Sequence, residues 1–281
     1  MCLIAWNWQP HSTTPLLLLA NRDEFYARPA LPLHWWPAET NGSQILAGKD
    51  QQGGGTWLGL SRTGRMAALT NFRSAEPQRS HTPSRGELVA GFLRSVLSAN
   101  DYVHQLVQHC ADYNPFNLLV FDGQQLVGLE SRSAKVIDQK PGLGAVSNAN
   151  FHTPWPKLIQ LRTDLEAHAT ATEVKNLHQF LPLLQNRRPA PDNALPKTGV
   201  SQDLERMLSP IFIASPGYGT RACSVVALHQ NHAEFLEQSF GPNGVLGEAR
   251  HQTVCFSSIG SLATLSSPPE LPDCPGVPGS P

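Results

Sequence analysis

Short apolar runs and alternating apolar and polar residues dominate both ends of the chain, a pattern that predicts antiparallel strand pairs. "CLIAWNW" (2–8) and "LLLLAN" (16–21) flank the turn-forming stretch "QPHSTTP", so we expect the chain to open with a hairpin. The same reasoning predicts further strands within 53–71, 117–131, 142–148 and 211–240. Residues 27–44 are interrupted by prolines and are expected to be irregular.

Helical periodicity is confined to the middle of the chain. Ser84 and Glu87 form a capping-box pattern, which predicts a helix over 84–98. Thr153 as N-cap, followed by Pro154, predicts a second helix over 153–168. Weaker patterns cover 101–111, 172–185 and 201–208. Because helices would cover strands best from outside two stacked antiparallel sheets, the pattern predicts an α+β fold.

The length and composition fit one soluble domain. The chain has 281 residues, of which 40% are hydrophobic, and we expect residues 1–265 to form a single domain. Residues 266–281 are rich in proline and are predicted to be a disordered tail. No apolar run approaches the ~20 residues of a membrane helix, so stable membrane insertion is not expected.

Charge and cysteine usage narrow the class of protein further. The formal net charge of −1 gives no electrostatic footprint for nucleic acid. The five cysteines are widely spaced without a CxxC pair, so neither a disulfide framework nor a metal motif is expected. A reducing compartment, the cytoplasm, is the natural location.

Cys2 is the first residue with candidate chemistry. Removal of the initiating methionine would give it a free α-amine, which titrates near ~8 and can act as a general base. A nucleophile activated by an N-terminal amine is a known catalytic arrangement. Alternatively, Cys2 is a small residue that packs well at the start of a strand.

The cluster Asn21, Arg22, Asp23 and Glu24 follows an apolar strand without a turn signal. Asn21 and Asp23 lie two residues apart, so they share one face of an extended chain. The opening hairpin would place the cluster beside Cys2, where a carboxylate could hold the amine. Alternatively, the cluster is a solvated strand end with a surface ion pair, worth ~0–1 kcal/mol.

Three more polar residues follow strands of small side chains. Asn71 and Asn148 could donate to an oxyanion, or could simply start turns. Arg221 stands at the entry to a strand, where it could bind a carboxylate or cap a loop.

Together, these motifs resemble a known family. The initiating "MC", the hairpin ending in Asn-x-Asp, and "SN…PW" before a helix resemble the choloylglycine hydrolase and penicillin V acylase group. Members of that group are N-terminal-nucleophile (Ntn) hydrolases with a four-layer αββα sandwich. "NRDEFYARPA", "GGTWLG", "LTNFR", "SNANFHTPWPKL" and "GTRACSVV" more closely resemble the NRDE family, from residue 2 to about 240. The resemblance implies an Ntn-hydrolase-like αββα domain.

The resemblance also implies roles for the candidate residues. Cys2 would be the nucleophile and its amine the base, Asp23 would orient the amine, and Asn71 and Asn148 would stabilise the oxyanion. Arg221 would match the group's late arginine, and the four residues "NRDE" would line the ligand pocket. The acylases carry Arg-Asn-x-Asp where this chain has Ala20-Asn21-Arg22-Asp23, so the thiolate-stabilising cation is displaced.

Two functions of different class follow from the resemblance. The first is binding and trafficking of haem or a similar amphipathic acid, with haem-accepting proteins as partners and acyl-CoA or lipid handling as a rival. The second is an N-terminal cysteine amidohydrolase that cleaves linear C–N bonds. The displaced arginine favours binding. Haem would be cargo, with Cys2, His11 and His34 as possible axial ligands; no metal site or catalytic cofactor is expected.

Overall fold

The fold is seen in a computed structural model that describes residues 2–39, 43–169, 174 and 176–256. The predicted tail at 266–281, and the predicted end of the domain at 265, lie outside these residues. The strands are β1 (Cys2–Trp8), β2 (Leu16–Phe25), β3 (Ala30–Trp35), β4 (Ile45–Asp50), β5 (Leu58–Ser61), β6 (Met66–Asn71), β7 (Phe116–Phe121), β8 (Leu126–Glu130), β9 (Lys135–Asp138), β10 (Gly142–Val146), β11 (Ala214–Ser215), β12 (Tyr218–Leu228), β13 (His232–Gly241) and β14 (Gly244–Cys255). The α-helices are α1 (Gly86–Arg94), α2 (Ala99–Val107), α3 (Pro156–Ala169) and α4 (Gln202–Met207), and a longer 3₁₀ helix spans Leu177–Gln185.

The strands form two seven-stranded antiparallel sheets. Sheet 1 has the order β10-β1-β2-β12-β13-β14, with β11 paired to β12. Sheet 2 runs from β3 to β9 in chain order. The predicted opening hairpin is present, with Cys2 opposite Arg22 and Trp8 opposite Leu16.

Alternation along the strands gives each sheet two buried faces. Ile4 and Trp6 of β1 pack between the sheets with Leu119 and Phe121 of β7. The other face of sheet 1 packs on α3 and the 3₁₀ helix, and the outer face of sheet 2 packs on α1 and α2. The layers therefore run helix, sheet, sheet, helix, which confirms the predicted αββα sandwich.

Two predicted helix starts are wrong. Helix α1 begins at Gly86 after Arg85, which has helical backbone angles and provides no side-chain cap. The Glu87 carboxylate accepts a hydrogen bond from the Tyr113 hydroxyl at 2.5 Å, so the capping box is absent. Helix α3 begins at Pro156 rather than Pro154.

The predicted ends of several elements also differ. Helix α1 stops at Arg94 rather than 98, and α2 spans Ala99–Val107. The 172–185 pattern yields a 3₁₀ helix from Leu177, with Pro182 inside it.

Four strands were not anticipated: β3, which lies in the stretch 27–44 expected to be irregular, and β4, β9 and β14. β3 and β14 are edge strands, and Pro32 is tolerated in β3 because an edge strand has a free side. β9 and β14 are largely exposed, so their sequences lack the apolar signal used to predict strands.

The core between the sheets yields a stability prediction at Gly144. A Cβ atom there would overlap the indole ring of Trp6, which faces it across the β1–β10 pair. We expect Gly144→Ala to lower the free energy of unfolding by ~1–3 kcal/mol because of overpacking.

A double-mutant cycle tests the cause. Trp6→Phe removes the indole atoms that the new methyl group would meet, so the double variant should be less destabilised than the sum of the single variants. Additive effects in urea titrations would show that the overlap with Trp6 is not responsible.

Candidate functional site

Cys2 begins β1, a strand of sheet 1 that lies between β10 and β2. Cys2 is partly exposed, and its carbonyl accepts a hydrogen bond from Ser147 Oγ at 3.2 Å. Burial raises the pKa of the Cys2 thiol, against the opposing effects of the positive charge at the chain start and of Arg22. The thiol is therefore mainly protonated near neutral pH.

β2 continues through the polar cluster as far as Phe25, and alternation divides the cluster between two faces. Asn21 and Asp23 are buried on the helix-covered face of sheet 1. Asn21 Nδ2 donates to the carbonyls of Leu184 and Ile211, each at 2.8 Å. Asp23 Oδ1 accepts from the Thr220 hydroxyl at 2.7 Å.

Arg22 and Glu24 point to the opposite face of β2. The Arg22 guanidinium stacks on Trp57 at 4.3 Å from the ring centroid, and Nη2 lies 3.0 Å from Asp50 Oδ2. Glu24 is only half-buried and lines the large cavity described below. The four residues "NRDE" therefore do not line one common pocket.

Lys157, in the first turn of α3, supplies a buried cation near Asp23. Burial lowers its pKa to about 8, although Asp23 opposes the shift. Burial in turn raises the pKa of Asp23, with Lys157 opposing. Lys157 Nζ donates to the Leu208 carbonyl at 3.2 Å. This cation was part of the motif "PWPKL", but it was assigned no role from the sequence.

A second buried pair joins Arg73 to Glu205. Their side chains meet at 2.5 Å, and the Thr198 hydroxyl also donates to Glu205. Arg73 is the last residue of the motif "LTNFR". The motif was part of the family resemblance, but no role was predicted for Arg73. Glu205 lies in the short polar helix α4, whose sequence gave no indication of burial.

Asn71 and Asn148 are brought together, at the ends of β6 and β10. Asn148 Nδ2 donates to both the carbonyl and the side-chain oxygen of Asn71, each at 3.0 Å. The Asn148 amide protons are thus directed to Asn71 in this arrangement. Asn71 itself lines the large cavity, and a role in stabilising an oxyanion remains a prediction.

Arg221 has the geometry of a loop cap. Its guanidinium donates to the carbonyls of Phe25, Tyr26, Arg28 and Phe240 at 3.0–3.1 Å. It thereby holds the turn after β2, and binding of a ligand carboxylate by Arg221 remains a prediction.

A cavity of ≈ 1160 Å³ opens beside these residues. Its charged wall holds five arginines and two glutamates: Arg28, Arg73, Arg79, Arg85, Arg132, Glu24 and Glu76. Apolar and aromatic residues complete the wall, including Phe25, Phe72, Tyr113, Leu204, Met207 and Tyr218. The cavity therefore combines net positive charge with apolar surface.

A smaller cavity of ≈ 500 Å³ is lined by Arg22, Trp57 and Glu237, among others. Glu237 is buried and accepts hydrogen bonds from the Leu33 N–H at 2.8 Å and from the Ser224 hydroxyl at 3.3 Å. Burial raises the pKa of Glu237 to about 7. Arg22 thus belongs to this cavity rather than to the large one.

The sequence of this chain matches a known protein family. Residues 1–242 match the family model described as Transport and Golgi organisation 2. The chain belongs to this family. It is 33% identical over 263 residues to the Transport and Golgi organization protein 2 homolog of Homo sapiens, which covers 85% of this chain and 93% of the relative. The homolog of Bos taurus is 32% identical over 260 residues, with the same coverage.

Solved structures give a more distant likeness. A mutant of the conjugated bile acid hydrolase from Clostridium perfringens aligns with a TM-score of 0.49 and 11% identity, covering 90% of this chain and 96% of that chain. A variant of the same hydrolase aligns with a TM-score of 0.46 and 10% identity, covering 94% of this chain and all of that chain. Within the residues described, no helix is long and apolar enough to cross a membrane.

The raised pKa of Glu237 yields a pH prediction. Between pH ~4.5 and ~7 the unfolded chain loses this proton while the folded chain keeps it, so stability falls as pH rises through that window. The contribution is at most about 3 kcal/mol. Glu237→Gln keeps an acceptor for Leu33 but cannot ionise, so its unfolding free energy should fall less over the same window.

The matched control is Glu248→Gln, an exposed carboxyl in the wall of the same cavity. Urea titrations at pH 4.5 and 7.5 would measure the difference. A Glu237→Gln profile parallel to wild type would refute the assignment.

Proposed function

We propose that this member of the Transport and Golgi organisation 2 family binds an amphipathic carboxylic acid, with haem as the leading candidate, in the large cavity. The observation that carries the proposal is the wall of that cavity, where guanidinium groups that have no carboxylate partner among the described residues lie beside apolar surface. Such a wall suits a ligand that has both an acid and a large apolar body.

Arg85 and Arg132 are the cations available to a ligand. Arg85 Nη1 donates to the Pro115 carbonyl at 3.2 Å, and Arg132 lies over Phe72 at 5.2 Å from the ring centroid. In the described part of the chain, neither has a carboxylate within ion-pair distance. The other three arginines of the wall are engaged, since Arg28 pairs with Asp50 and Arg73 with Glu205, while both terminal nitrogens of Arg79 donate to backbone carbonyls.

The apolar wall supports the same class of ligand. Phe25 is 61% exposed and Leu204 is 37% exposed, which is unfavourable for large apolar side chains in water. A bound macrocycle or acyl chain would cover them. Haem carries two propionates, and two guanidinium groups can each form a charge-assisted pair with a carboxylate.

The lining of the cavity adds candidates for the axial ligand. His11 and His34 do not line the cavity, whereas Cys110 and Met207 do. Thiolate and thioether sulfur both ligate haem iron in proteins. Cys110 offers a thiol, as Cys2 does, and is therefore the closest match in this cavity to the ligands expected from the sequence. Burial raises the pKa of the Cys110 thiol.

The alternative function is hydrolysis of a linear amide by Cys2. Its support is the assembly of Cys2 and Asp23 near the Asn71–Asn148 pair at one end of the sandwich. The displaced cation favours the carrier, since Arg22 pairs with Asp50 and stacks on Trp57.

The partners and location follow only from this proposal. A haem carrier would hand its cargo to haem-accepting proteins, and the cytoplasm is the compartment in which we expect this to happen. Acyl-CoA or fatty-acid handling by the same cavity is the rival for ligand identity, and competition with haem distinguishes the two.

The cationic wall yields the first functional prediction. Arg85→Gln combined with Arg132→Gln should weaken haemin binding at least about tenfold, because the propionates lose both partners. Haem absorbance titrations measure the affinity, and Arg94→Gln, whose ion pair with Glu39 lies outside the cavity, is the control.

The same titration identifies the ligand class. Haemin dimethyl ester should bind wild type more weakly than haemin. Palmitate or palmitoyl-CoA that displaces haemin would identify acyl ligands as occupants of the same cavity. Equal haemin affinity in wild type, the Arg85→Gln/Arg132→Gln double variant and Arg94→Gln would contradict the proposed site.

Cys2→Ser separates carrier from enzyme. Serine keeps the size and the processing of the N-terminus but removes the thiol, which a cysteine hydrolase cannot lose without losing turnover. We expect Cys2→Ser to keep measurable haemin binding, and wild type to show no hydrolysis of acylated amino acids or penicillin V. Wild-type hydrolysis that disappears in Cys2→Ser would establish the enzyme instead.

A further inference from the structure

We propose that His229, His232 and Glu234 form a zinc(II) site at the turn between β12 and β13. His229 follows the last residue of β12, while His232 and Glu234 belong to β13. Two imidazoles and one carboxylate are a donor set that zinc binds, with water as the fourth ligand. The site is independent of the proposed carrier function.

The side chains already converge. One ligand atom from each of the three residues lies within 4.8 Å of the other two. His229 Nε2 is 3.5 Å from Glu234 Oε1. Zinc bonds of about 2.0–2.1 Å would place two ligand atoms of a tetrahedral site roughly 3.4 Å apart, so this pair is already at the required spacing. The imidazole rings of His229 and His232 stack at 4.3 Å between centroids.

Hydrogen bonds leave the Nε2 atoms available to a metal. His232 Nδ1 lies 2.9 Å from Asn231 Oδ1, and an amide oxygen only accepts, so the proton belongs on Nδ1. His229 Nδ1 contacts the Thr14 hydroxyl at 3.1 Å. His229 Nε2 is buried and makes no hydrogen bond within the described chain. Histidine ligands of zinc are held in this way by a partner on the other ring nitrogen.

The carboxylate is oriented as well. Glu234 Oε2 lies 2.9 Å from His251 Nε2, on β14. Ligating carboxylates are commonly hydrogen-bonded in this manner. A zinc ion would therefore tie the β12–β13 turn to β14 and, through Thr14, to the opening hairpin.

The zinc site lies far from the residues around Asp23. Thr220, which contacts Asp23, and His229 are separated by nearly the whole length of β12, roughly 30 Å at about 3.3 Å per residue. Zinc bound only by the folded chain would raise its stability by mass action.

The experiment uses the full chain without an affinity tag, in a Cys2→Ser background so that this thiol cannot bind the metal. Calorimetric titration with zinc sulfate should show one ion per chain, and thermal unfolding should shift to higher temperature with zinc. His232→Ala and the isosteric Glu234→Gln should each weaken binding at least about tenfold. His168→Ala, an exposed histidine on α3, is the control and should behave as the parent.

Circular dichroism without zinc checks that each variant is folded. Loss of both zinc affinity and the thermal shift in His232→Ala and Glu234→Gln, with His168→Ala unchanged, supports the site. No binding by the parent chain, or equal binding by all variants, overturns it.

Discussion

Buried charge at the end of β2 has to be matched by nearby opposite charge, and the cavity end of the sandwich is organised around that requirement. Burying an unpaired carboxylate costs several kcal/mol, so Asp23 depends on its partners. Thr220 donates to it and Lys157 lies nearby on α3, which ties sheet 1 to its helical layer. The Arg73–Glu205 pair extends the same network from the segment after β6 to α4.

The register of β2 against its neighbouring strands brings the charged side chains at its end together. Cys2 pairs with Arg22 on β2, and Arg22 in turn lies opposite Ala222 on β12. A one-residue slip of β2 would exchange its two faces, moving Asp23 away from Lys157. The apolar run before the cluster prevents such a slip, because Leu17 and Leu19 fill the helix-covered core while Leu16 and Leu18 fill the core between the sheets.

The sequence predicted the layers and part of the site for identifiable reasons. Alternation of apolar and polar residues and the turn between the first two strands correctly predicted antiparallel sheets. The two-residue spacing correctly predicted that Asn21 and Asp23 share a face. β14 escaped prediction because it is mostly exposed, and the start of α3 was misplaced because two prolines flank Trp155. Glu205 was missed because its burial depends on Arg73, which is 132 residues away in the chain. The cluster of His229, His232 and Glu234 was missed because the metal motifs considered in the sequence are built from cysteines.

The same network bears on the choice between carrier and enzyme. An Ntn-type cysteine hydrolase needs an ionisable thiol beside a base and a cation that stabilises the thiolate. Here the Arg22 guanidinium, the nearest candidate for that cation, is paired with Asp50 and stacked on Trp57. Lys157, with a pKa of about 8, stays mainly charged near neutral pH, and its ammonium group lies near Asp23 and donates to the Leu208 carbonyl. Arg85 and Arg132, which have no carboxylate within ion-pair distance in the described part of the chain, line the cavity wall, where they can bind an acid.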